Sequence, residues 1–193
     1  MKAFSFLFIA LFVFASLSFA QNFPNRGTLE VGGSIGFSST TNVVNGQSSS
    51  NSTSTFRIEP YIGYFIINSF ELGIEPSFTR TGSGDYSSTT FGIYLAPAWV
   101  FNLRSNLYPF IEGRIGYNSS SVDDGIPLTP DISSGGFAWG FKGGMKFQVG
   151  KSSLVNMAIT YDQITMNPKD WTGNRNGKNI FGVNAGVTIF FGK

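Results

Sequence analysis

From residue 28 onward, apolar residues alternate one for one with polar or small residues in stretch after stretch, and no segment repeats at the helical period. The alternation predicts eight strands, at residues 28–38, 55–65, 70–79, 90–102, 108–118, 136–148, 154–162 and 179–191. In the last, Phe181, Val183, Ala185, Val187, Ile189 and Phe191 share one face, and Gly182, Asn184, Gly186 and Thr188 share the other. The connections alternate as well: short near 67–69, 103–107 and 150–153, long over 39–54, 80–89, 119–135 and 163–178. Such a chain reads as all-β: an eight-stranded antiparallel up-and-down transmembrane β-barrel with short periplasmic turns and long extracellular loops. Within the first long loop, residues 48–55 (SSSNSTST) are low in complexity and are expected to be mobile.

Period two does not say which face is inside. A secreted, lipocalin-like soluble barrel that carries an apolar small molecule has the same alternation with its apolar side inward. Aromatic placement favours lipid on the apolar side. Phe37, Phe56, Phe78, Phe91, Tyr117, Phe137, Tyr161 and Phe181 stand on that face at the long-loop end, with Tyr64, Phe70, Phe101, Phe147 and Phe191 at the other. Ten residues from Phe181 to Phe191 rise roughly 23 Å at a barrel strand's tilt, close to the height of an apolar membrane band between aromatic girdles. The polar face is mostly Gly, Ser, Thr and Asn, where a water-facing surface would be dense in Lys and Glu. Charged residues make up 12% of the chain, about half the usual share.

The N-terminus has its own pattern. Lys2, an unbroken apolar run over 6–15, and small residues at Ser18 and Ala20 predict a signal peptide over 1–20, leaving 21–193 as one barrel domain. Cleavage leaves 12 Lys and Arg against 11 Asp and Glu, so nucleic acid is not an expected partner. The 193 residues contain neither His nor Cys, which excludes thiol catalysis, His acid–base chemistry, Cys/His zinc sites and disulfides; no cofactor is implied.

The chemistry that remains lies on the inward face. Its acids are Glu30, Glu59, Glu71, Glu75, Glu112 and Asp162, and its cations Arg57, Arg114, Lys142 and Lys146. If Tyr64 faces Phe70 across the turn, Glu59 directly opposes Glu75, which is repulsive unless a cation bridges them. Such a pair could be an acid/base site of glycosidase type or part of a proton path. With cations on the same face and a barrel just wide enough for its own side chains, the reading taken is a salt-bridged network that plugs the lumen. No catalytic, cofactor or metal residue is assigned. Asp123, Asp124 and Asp131 lack the spacing and distal Glu of a calcium loop and read as a turn.

Three segments carry a family resemblance: RIEPYIGYFIINSFELGIEPSFTR over residues 57–80, PFIEGRIGY over 109–117, and NAGVTIFF from Asn184. They resemble the outer membrane protein beta-barrel domain family common in Bacteroidota and, more loosely, barrels of the OmpX and OmpA type. The resemblance implies residence in a Gram-negative outer membrane, with its lipid and the barrel-assembly machinery as partners. It carries over no catalytic residue. The function expected is that of a non-enzymatic membrane scaffold or surface-interaction protein, with an extracellular protein or glycan partner reached through four long loops. Barrels of this kind often end on an aromatic residue, whereas Gly192 and Lys193 follow Phe191 here.

Overall fold

The structure, a computed structural model, describes residues 23–83, 86–123, 132–166, 173–174 and 176–192. The expected leader over 1–20 and the acidic positions Asp124 and Asp131 lie outside these residues. Eight antiparallel strands follow in order: β1 Leu29–Val44, β2 Gln47–Ile67, β3 Phe70–Ser83, β4 Tyr86–Val100, β5 Leu107–Asp123, β6 Ile132–Gln148, β7 Ser153–Thr165 and β8 Gly177–Phe191. Each pairs with the next, and β8 returns to β1 from Leu29↔Phe191 to Val43↔Gly177, so the sheet is a closed barrel without an edge.

The apolar face points outward. Phe37 is 66% exposed and Val187 58%, while Glu59 and Arg114 are 0% and 1% exposed. A soluble carrier needs the opposite arrangement, with its apolar side chains around a ligand. The outward belt runs all the way round the barrel and far exceeds the apolar patch that a water-soluble monomer leaves uncovered. Its upper aromatics are directly opposed cross-strand pairs, one in each hairpin: Phe37↔Phe56, Phe78↔Phe91, Tyr117↔Phe137 and Tyr161↔Phe181. The Phe78 and Phe91 ring centroids lie 5.0 Å apart, and those of Phe37 and Phe56 5.6 Å. Pairs of this kind contribute beyond the area they cover.

Two sequence expectations are corrected. The strands run past the girdle into the connections, and the first connection is a hairpin rather than a loop. Thr41 pairs with Ser52 and Val44 with Gln47 around a two-residue turn, Asn45-Gly46, with φ of 50° and 79°. Positive φ at both positions is what an Asn-Gly hairpin turn supplies. The SSSNSTST stretch is therefore part of β2 rather than a loop.

The second correction is the β2–β3 register. Ile58 faces Phe78 and Ile62 faces Ile74, two residues away from the expected pairing, so Glu59 does not directly oppose Glu75. The turn itself is Asn68-Ser69, with Ser69 at φ 68°, and a bulge between Phe65 and Ile67 takes up the extra residue. Alternation alone cannot detect a two-residue slip, because it keeps every side chain on its own face.

Candidate functional site

The lumen is built in layers, each set by inward positions of neighbouring strands. At its centre Arg114 extends from β5. Its Nη1 donates to Asp162 Oδ1 and Oδ2 of β7 at 3.0 and 2.9 Å, and its Nη2 to Glu59 Oε1 of β2 at 2.7 Å. Nη2 also approaches Glu75 Oε1 of β3 at 2.6 Å. The guanidinium lies over the Tyr94 ring, 4.3 Å from its centroid. Arg57 sits beside it, with Nη1 3.0 Å from Glu59 Oε1 and 2.7 Å from Asp162 Oδ2. The Asn184 amide donates to Glu59 Oε2. Glu59 and Glu75 thus share one arginine even though they are not opposite each other.

Below this lies a lysine layer. Lys142 binds Glu75 and stands 3.3 Å from Glu112 Oε1, while Lys146 is 2.6 Å from Glu30 Oε2 and 3.3 Å from Glu71 Oε2. All ten candidate residues, Glu30, Arg57, Glu59, Glu71, Glu75, Glu112, Arg114, Lys142, Lys146 and Asp162, face inward and are buried. The charge is uneven along the axis. Four cations meet six acids in all: Asp162 pairs only with the two arginines, Glu59 and Glu75 are shared between the layers, and Glu30, Glu71 and Glu112 pair only with the two lysines. In the lower half Glu30 Oε1 makes no hydrogen bond, and Glu112 Oε1 has only its ion pair with Lys142. A cavity of about 40 Å³ lies among these groups, enough for a water or two. No group of three or more acidic side chains stands at metal-holding geometry among the described residues.

Glycine makes room for this packing at one place in particular. Gly63 and Gly73 are paired across β2 and β3, and the Tyr61 ring lies against them; a Cβ at Gly73 would stand 2.6 Å from Tyr61 Cε2.

A third layer closes the short-turn end, and the sequence reading missed it. Phe23, Phe65, Val100, Tyr108, Phe110, Leu154 and Phe190 form a buried apolar cluster inside the barrel. Phe23, ahead of β1, packs its ring 5.3 Å from Phe65, 4.9 Å from Tyr108 and 5.0 Å from Phe190. The segment is tied down by Gly27 N–H donating to the Phe65 carbonyl at 2.8 Å and Ser69 N–H to that of Pro24 at 2.9 Å. The signal was present as adjacent apolar residues, Val100-Phe101, Phe110-Ile111 and Phe190-Phe191, which break the alternation and make both faces apolar at this rim.

The comparisons with known proteins agree with this architecture. No curated protein matches the chain in sequence. Among solved structures, Neisserial surface protein A has a TM-score of 0.69 at 18% identity, covering 85% of this chain and 99% of that one. Ail of Yersinia pestis has a TM-score of 0.54 at 13% identity, covering 86% and 99%. OprG of Pseudomonas aeruginosa has a TM-score of 0.51 at 13% identity, covering 88% and 98%. At these identities the likeness is one of fold. The model of the outer membrane protein beta-barrel domain matches residues 6–192, and the chain belongs to that family of outer-membrane barrels.

Proposed function

We propose that the protein is a non-enzymatic outer-membrane barrel whose lumen is closed by its own side chains and whose strand-extended hairpins meet a partner outside the cell. The observation that carries this reading is Arg114, which joins β2, β3 and β7 across the lumen by ion pairs of 2.6 to 2.9 Å. A conducting pore needs that cross-section free. Below it the Phe23 cluster adds a second, apolar closure. With the barrel sealed, the parts left to interact are lipid around the belt and the long-connection rim above it. Export through a leader over 1–20 and insertion by the barrel-assembly machinery belong to the same reading. So does a glycan or protein partner at the rim, in keeping with Ail of Yersinia pestis, whose structure is described in complex with the heparin analogue sucrose octasulfate.

Planar-bilayer recording on the refolded mature chain tests the closure. The expected result is no steady conductance, and a stable open level in the wild type would overturn the reading.

A further inference from the structure

The outward belt is indented across β4, β5 and β6. A groove of about 750 Å³ runs there over Pro97, Gly113 and Gly143, with Trp99 and Ile111 along its lower side and Phe141 along its upper. The three floor positions are neighbours: Gly113 pairs with Phe141 and Gly143 with Ile111, and Pro97 meets Gly113 where the β4–β5 ladder is interrupted between Leu95↔Ile115 and Ala98↔Glu112. The barrel's own packing does not require either glycine. A Cβ on Gly113 would meet nothing nearer than Pro97 Cγ at 3.9 Å, and one on Gly143 nothing nearer than the Phe110 carbonyl oxygen at 3.9 Å. The space they leave lies outside the sheet, on the face that meets lipid, and is continuous with the rest of the belt.

The groove climbs obliquely. Its outward residues pair in one row, Phe70↔Trp99, Trp99↔Ile111, Ile111↔Gly143 and Gly143↔Ile159, which starts at the lower girdle and rises from β3 to β7. Five strands about 4.8 Å apart make that row roughly 19 Å long. A lipid chain crossing at a slant its half of a hydrocarbon core about 30 Å thick has this length. Beyond the lower girdle, the two short turns beneath the groove carry the exposed cations Arg104, in residues 101–106, and Lys151, in residues 149–152. Neither turn contains an acid, and Arg26 is the other charge among the described residues of the short connections, so this rim has one sign. Cations at a membrane surface attract anionic lipid heads.

An apolar slot at the height of the hydrocarbon, with cations past the girdle at its lower end, matches a molecule with a long chain and an anionic head. Short turns lie on the periplasmic side of such barrels, which puts the head in that leaflet. We propose that the groove holds one anionic glycerophospholipid of the periplasmic leaflet, an acyl chain laid over Gly113 and Gly143 and the phosphate-bearing head at the rim formed by Arg104 and Lys151. The site belongs to the lipid-facing belt and goes beyond the surface-interacting reading; it stands whether or not the lumen conducts.

Trp99 on the groove wall supplies the reporter. The mature chain carrying Trp139→Phe and Trp171→Phe is refolded into phosphatidylcholine vesicles in which one lipid in ten is a dibromostearoyl lipid, either phosphatidylglycerol or phosphatidylcholine. Brominated phosphatidylglycerol is expected to quench Trp99 at least threefold more than brominated phosphatidylcholine. Gly113→Leu with Gly143→Leu fills the groove, and Arg104→Gln with Lys151→Gln removes the rim charge; each pair should bring the two lipids to equal quenching while the barrel keeps its heat-modifiable gel shift. Equal quenching in the parent would overturn the inference. So would a preference that survives the folded leucine pair, which would place the lipid at the rim without the groove. Sedimentation in micelles tests the remaining occupant: a dimer that the leucine pair makes monomeric would assign the groove to a second copy of the chain and refute a lipid there.

Discussion

Arg114 Nη2 stands 2.7 Å from Glu59 Oε1, a contact that joins β5 to β2 across the full width of the lumen. Removing the guanidinium leaves Glu59, Glu75 and Asp162 short of their shared cation inside a space that water enters poorly. Breaking a buried pair from one side costs about 3 to 5 kcal/mol. Arg114→Ala should therefore destabilise the barrel by at least that much, while Lys151→Ala in an exposed short turn should cost under about 0.5 kcal/mol. Urea unfolding in micelles, followed by tryptophan fluorescence, measures both; equal midpoints would contradict the network.

The uneven distribution of charge makes a second prediction. Glu71 shares its one cation, Lys146, with Glu30, whereas Asp162 pairs with two arginines. Glu71→Gln, which keeps the shape and removes a surplus negative charge, should leave the unfolding midpoint unchanged or raise it. Asp162→Asn should lower it clearly, by about 3 kcal/mol or more. The reverse order would show that charge balance is not what holds the layers.

Phe23 belongs to no strand, yet it is 3% exposed against the Phe65, Tyr108 and Phe190 rings. Phe23→Ala should loosen the segment from 23 to 28 without opening the barrel, because Lys146 lies over the Phe23 ring but the Arg114 ion pairs cross the lumen separately. The amides of Gly27 and Ser69, which donate to Phe65 and Pro24, should then exchange at least tenfold faster with deuterium. Bilayer conductance should stay at baseline.

Depth along the belt can be read by one substitution placed at two heights. Val187 lies within the outward belt and Val44 at the hairpin tip beyond the girdle, 58% and 62% exposed respectively. Arginine at mid-depth on a barrel's lipid face costs about 2 to 4 kcal/mol and close to nothing near the interface. Val187→Arg should reduce the folded fraction in outer membranes, scored by heat-modifiable mobility, and Val44→Arg should not.

The alternation was enough to read the strands and their faces, because inside and outside differ in chemistry at every step. Ile159, Leu95 and Val183 point outward, and Thr160, Tyr94 and Asn184 inward, as their neighbours in sequence imply. Register was not legible in the same way. It depends on where the Asn68-Ser69 turn closes and on one bulged residue, and Pro60 and Pro76 interrupt the ladder beside the very carboxylates whose opposition was at issue. The ten lumen charges could be named from their faces, but their partners could not. Arg114 reaches residues 55, 39 and 48 positions away in sequence, and only closure of the barrel brings those strands round.

The four opposed aromatic pairs have a consequence for how the barrel finds its level. Both members of every pair belong to one hairpin, β1β2, β3β4, β5β6 or β7β8. Each hairpin therefore carries its own waterline, marked by rings that rest where headgroups meet hydrocarbon. Four such floats ride at the same height before any seam between them is made. Joining β8 to β1 then brings together two edges already level with one another.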